Sequence, residues 1–97
     1  MDEVTIRQYA EAHGKAAVTG DMVTLMADID PSAMEALGTV AGAFPSPLES
    51  AEVASLRLEG DVAVVQMAYT GNNTTVTVES RWAERDGRPK VIDAKLA

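Results

Sequence analysis

The feature that most constrains this chain is a change of hydrophobic period near its middle. Up to about Leu37 the apolar residues recur at helical spacing; from about Glu52 they alternate at strand spacing, interrupted by Gly-containing turns. Helices first and a meander of strands afterwards predict an α+β domain, with one long and two short helices packed on a curved, mostly antiparallel four-stranded sheet. Ninety-seven residues make one domain, 1–97.

In the first half, Ile6, Tyr9, Ala10, His13 and Ala17 form one stripe of a helix over roughly Thr5 to Val18, opposite the charged row Glu3, Arg7, Glu11 and Lys15. Thr5 with Gln8 offers one cap for it and Asp2 a competing one. Gly20-Asp21 ends this helix and caps a short second one carrying Met22, Leu25, Met26 and Ile29. Asp30-Pro31 starts a third, which ends at Gly38 or runs on to about Ala43. Phe44-Pro45-Ser46-Pro47 is irregular, because each Pro pushes its predecessor to extended geometry. Phe44 is a core plug under that loop or the rim of a pocket.

The second half reads as strands Glu52–Leu58, Val62–Tyr69, Thr74–Trp82 and Lys90–Leu96, with turns at Gly60-Asp61, Gly71-Asn72-Asn73 and Asp86-Gly87. Parity assigns Val76, Val78 and Trp82, together with Ile92, Ala94 and Leu96, to the face against the helices. The second strand is apolar on both faces. Val62, Val64, Gln66 and Ala68 are read as inner, which leaves Val65, Met67 and Tyr69 beside Thr75 and Thr77 on an outer face. Such a face suggests a second copy of the chain packed sheet to sheet, hence a homodimer. An outward Asp93 is expected to pair with Arg81 or Lys95.

The bulk properties exclude several function classes. Fifteen acidic against eight basic residues give a net charge of −7, which disfavours nucleic acid and anionic membranes. With no cysteine there is no disulfide, thiol catalysis or Cys-based metal site. One histidine and dispersed acids give no metal-ligand spacing, and no phosphate loop or nucleophile elbow is present, so no cofactor is expected. No apolar run approaches a membrane span, and Met1-Asp2-Glu3-Val4 has no apolar leader region. The expected location is therefore cytoplasmic.

The long first helix with a Tyr, the break at Gly20-Asp21, the segment Met22–Met26, Gly60-Asp61-Val62-Ala63-Val64-Val65 and Arg81-Trp82-Ala83-Glu84-Arg85-Asp86-Gly87 together resemble the NTF2-like (SnoaL-like, cystatin-related) superfamily. The likeness covers most of the chain and rests on turn and core residues. The chain departs from the family in being short between the second and third helices, and in having Arg88-Pro89 after Asp86-Gly87 where the family often has an aromatic residue. The resemblance implies a cavity between the first helix and the inner sheet face. It does not choose an activity, because the family includes isomerases, cyclases and non-catalytic binding domains.

The candidate pocket residues are Tyr9, His13, Met26, Phe44, Gln66 and Trp82. His13 could act as a base, but nothing in the sequence pairs a carboxylate with it. Tyr9 could donate to a carbonyl, and a buried Gln66 would need a partner. With no catalytic set visible, the leading expectation is a binding module for a small apolar ligand or a protein. The alternatives are an isomerase- or cyclase-type enzyme acting on a small hydrophobic substrate through Tyr9 and His13, and a structural subunit that dimerises through its sheet.

Overall fold

Three aspartates start the three helical segments, and each does so by accepting a backbone N–H. In the computed structural model, which describes all 97 residues, Asp2 caps α1 (Glu3–Thr19) by accepting from the Thr5 amide at 2.7 Å. Asp21 caps α2 (Met22–Ala27) through the Thr24 amide, and Asp30 caps the 3-10 turn Pro31–Ala33 through the Ser32 amide. That turn runs directly into α3 (Met34–Ala41), which passes through Gly38. Gly20 closes α1 at φ 76°, a conformation that costs glycine little and other residues more.

The strands are β1 (Ser50–Glu59), β2 (Val62–Gly71), β3 (Thr74–Arg85) and β4 (Arg88–Leu96), in the order β1-β2-β3-β4 and antiparallel throughout. The two later turns are built on left-handed pairs, Asn72-Asn73 at φ 50° and 59° and Asp86-Gly87 at φ 54° and 80°. These suit two-residue hairpins whose twist matches the strands. The three helices lie on one face of the sheet. Ile6, Ala10, Ile29 and Val40 meet Val65, Met67, Trp82 and Val91 in a single core. Full burial of an aliphatic side chain of this size stabilises by about 1.5–3 kcal/mol.

Two parity assignments are corrected by the structure. Val65, Met67 and Tyr69 face the helices and belong to the core, whereas Val64, Gln66 and Ala68 lie on the outer face. Thr75 and Thr77 do point outward, as expected, opposite Thr70 and Ala68. The outer Val64 is only 1% exposed in the single chain. Its cross-strand neighbours are Arg57 and Arg81. Both reach Glu59, Arg57 at 2.6 Å and Arg81 at 3.6 Å, so their aliphatic stems shield Val64. No partner is needed to bury it, and the apolar outer face expected of a sheet-to-sheet dimer is not there.

The second correction lies in β4. Arg81 pairs with Asp93 but Trp82 pairs with Val91, which leaves Ile92 as one extra residue. A bulge of this kind reverses side-chain parity along a strand. Val91 and Ala94 therefore both point inward, and Ile92 points away from the core. Asp93 is opposite Arg81 as expected, yet its carboxylate accepts the Ala94 amide, and Arg81 goes to Glu59. No helix is long and apolar enough to cross a membrane.

Candidate functional site

His13 lies on the third turn of α1 with its side chain turned toward the sheet, and 8% of the residue is exposed. Two further elements bring it partners. Asp28 follows α2, where its backbone is held on both sides: its amide N–H reaches the Thr24 and Leu25 carbonyls, and its own carbonyl accepts the Val91 amide at 2.7 Å. Asp30 N–H in turn donates to the Val91 carbonyl, so residues 28–30 form a short parallel bridge to β4. This clasp aims the Asp28 side chain, 3% exposed, at His13.

The result is a linear array. His13 Nδ1 and Asp28 Oδ2 are 2.9 Å apart, and Asp28 Oδ1 accepts from Arg88 Nη2. Arg88 stands at the start of β4, directly after the Asp86-Gly87 turn, with its guanidinium over the Tyr9 ring, 5.0 Å from the centroid. A buried carboxylate needs a compensating charge, and Arg88 supplies it. An ionised carboxylate only accepts, so Nδ1 carries a proton, and in the neutral imidazole Nε2 holds the lone pair. Trp82 buttresses the imidazole edge-on, with ring centroids 5.6 Å apart, and donates its Nε1–H to Ser80 Oγ at 2.9 Å.

Beside this array is a cavity of about 250 Å³ between α1, α2, α3 and the inner sheet face. Leu25, Leu37, Val40, Phe44 and Val78 form most of its wall, and Met22 and Met26 of α2 stand at its half-exposed side. Its polar groups come from His13, Tyr69 and Ser80. His13 hydrogen-bonds only through Nδ1. Every fully enclosed side-chain nitrogen or oxygen has a partner, so Nε2 is an atom that reaches open space. A wider, shallower depression of about 550 Å³ lies at the other end of β2, around Leu58, Asp61, Val62 and Arg85. It is larger, but no polar pair is organised in it.

Of the expected pocket residues, the structure brings His13, Met26 and Phe44 to the cavity. The other three are corrected. Tyr9 is half-buried beneath Arg88 and does not reach the cavity. Trp82 lies behind His13 in the core. Gln66 is on the outer sheet face, where its amide approaches Glu79 Oε1 at 3.5 Å. The residues that sequence reasoning missed are Asp28, Arg88, Tyr69 and Ser80. No three His, Asp or Glu side chains converge anywhere, so the donor set offers no cage for a metal ion.

Tyr69 has a measurable signature. Burial pushes its phenol up to about 12 from an ordinary value of about 10. The folded state therefore favours the protonated form. The associated stability is complete below pH 10 and is lost as the pH rises from 10 toward 12. A phenol raised from about 10 to about 12 makes the native state lose about 2.3 kcal/mol by pH 12. Denaturant titrations at pH 9 and pH 12 should show a loss of about that size in the natural chain beyond the loss in Tyr69→Phe. Equal losses in the two proteins would refute the burial of the hydroxyl.

Compared with known proteins, the chain matches no family model and no curated protein sequence.

Proposed function

We propose that this chain is a small NTF2-like domain whose cavity binds a small apolar molecule and moves a proton on it, with His13 as the base. One observation carries the reading: a buried imidazole is held by a carboxylate at Nδ1 while Nε2 is left free beside an apolar cavity. Helices followed by an antiparallel meander, with a cavity between the first helix and the inner sheet face, support the family resemblance.

The chemistry that fits is abstraction of a weakly acidic C–H or O–H proton. Nε2 takes the proton, and the imidazolium so formed is stabilised by Asp28, whose charge is in turn balanced by Arg88. An apolar wall strengthens these interactions by excluding water. A positioned general base contributes about 10²–10⁴-fold. With a single-ring aryl ketone in D₂O, deuterium should enter the carbon next to the carbonyl faster than in buffer. His13→Gln should remove at least about 100-fold of that acceleration. Exchange at the same rate in both proteins would defeat the catalytic reading.

A second reading, a binding domain without catalysis, is favoured by the way the His13–Asp28–Arg88 array ties α1, the segment after α2 and β4 together. That role would serve the fold alone. It predicts ligand binding with no exchange at all.

A further inference from the structure

We infer that the occupant of this cavity is a neutral, single-ring molecule with one hydrogen-bond acceptor, seated against the Tyr69 hydroxyl. The inference rests on the reading that the cavity is a ligand site, and it adds the size, charge and polar handle of the ligand.

Size follows from volume. A protein cavity of about 150 Å³ lined by aliphatic and aromatic side chains takes up benzene, and sites for drug-sized molecules begin near 300 Å³. At about 250 Å³ there is room for a substituted ring of roughly ten non-hydrogen atoms, by proportion to the benzene cavity. A fused two-ring skeleton alone takes up that number, so one that also carries a carbonyl group exceeds it.

Charge follows from the lining. No Lys, Arg, Asp or Glu contributes to the wall; Asp28 and Arg88 are engaged with each other behind it. A carboxylate or ammonium would enter an apolar space without a counter-charge, which is strongly unfavourable.

The polar handle follows from the hydrogen bonds already made. Ser80 Oγ accepts from Trp82 and donates to the Val65 carbonyl, so its one proton is committed and it has none to give a ligand. Tyr69 is 3% exposed, yet its hydroxyl has no partner within the protein. Since no enclosed polar side-chain atom is unpartnered, this hydroxyl reaches open space, and the cavity is the open space that Tyr69 lines. Phe44 stacks on the Tyr69 ring at 4.5 Å and 29°, which holds that ring in place. The phenol stays protonated above neutral pH and can donate, whereas His13 Nε2, the other polar atom of the wall without a protein partner, is the acceptor of the reading above. A ligand acceptor is therefore met by Tyr69.

The test is binding to the full chain, followed by NMR at the His13, Phe44 and Tyr69 signals, with four probes: acetophenone, ethylbenzene, benzoate and 2-acetonaphthone. Acetophenone should bind tightest, with benzoate and 2-acetonaphthone each at least tenfold weaker. Tyr69→Phe should weaken acetophenone about five- to tenfold and leave ethylbenzene unchanged, which also shows that the variant is folded. The size and charge comparisons need only the natural chain. If 2-acetonaphthone or benzoate binds as well as acetophenone, or if Tyr69→Phe leaves acetophenone binding intact, this inference fails while the cavity remains a ligand site. If none of the four perturbs those signals, both fail.

Discussion

Asp28→Ala should cost about 3–5 kcal/mol of folding stability, because it strips the partly buried Arg88 of its partner and leaves the enclosed imidazole proton unsatisfied. For a domain of this size each kcal/mol lowers the melting temperature by about 4–8 °C, so the midpoint should fall by at least about 12 °C. Small domains hold only about 5–15 kcal/mol in total, and such a loss brings the chain close to unfolding at room temperature. Asp28→Asn separates charge from shape. The amide fills the same space, and its NH₂ turned toward His13 makes Nδ1 the acceptor. The ring proton then moves to Nε2, the nitrogen free of protein partners. Nitrogen-15 NMR of His13 should show that exchange of tautomers directly, and any proton transfer in the cavity should drop by about 10³–10⁴-fold, as when the orienting carboxylate of a catalytic triad is neutralised. A chain that loses less than about 1 kcal/mol on Asp28→Ala does not depend on the array as described.

Gly71→Ala should be the most damaging of the conservative substitutions. A Cβ on Gly71 would lie 2.0 Å from the Pro47 carbonyl oxygen and 3.2 Å from the Leu48 Cα. Both are backbone atoms, so relief requires the loop from Phe44 to Leu48 to lift off the end of β2. Overpacking of this kind costs about 3 kcal/mol, and it should also unseat Phe44 from Tyr69. Gly14→Ala is the control. Its Cβ would meet the Met67 methyl at 2.6 Å and the Ala51 Cβ at 3.0 Å. The methyl is the far end of a flexible side chain that can turn aside, and Ala51 has to give by only a few tenths of an ångström. Gaining Ala in a helix returns about 1 kcal/mol. Chemical denaturation should therefore separate the two by at least about 2 kcal/mol, and similar values would mean that the loop is not held against Gly71.

What could be read from the residues alone was local. Asp21, Asp30, Gly20 and Asp86-Gly87 act on their immediate neighbours, and the elements they delimit are all present. Face assignment in β2 was not legible, because Val62 through Tyr69 is apolar on both sides and parity alone has no sign. What decides it is that Arg57 and Arg81 cover Val64, and those contacts come from two other strands. The bulge at Ile92 is one residue long and leaves no mark on composition. The candidate site suffered most from distance in sequence. Asp28 is 15 residues from His13 and 60 from Arg88, and it sits inside a segment whose periodicity reads as helix through Ile29. The choice of Tyr9 over Tyr69 followed from the inverted parity of β2, since a tyrosine assigned to the outer face is not considered for a pocket.

The bridge between residues 28–30 and β4 has a mechanical consequence. The carboxylate that orients His13 is pinned to the sheet by two main-chain hydrogen bonds, whereas α2, which precedes it, contributes no buried residue and roofs the cavity with Met22, Leu25 and Met26. The roof and the orienting group thus belong to units of different rigidity, although only a residue or two separates them along the chain. Lifting α2 to let a molecule pass has to turn about the bonds from the Asp28 amide to the Thr24 and Leu25 carbonyls, while the two bonds to Val91 hold the far side of the same residues to the sheet, so Asp28 is the hinge between roof and sheet.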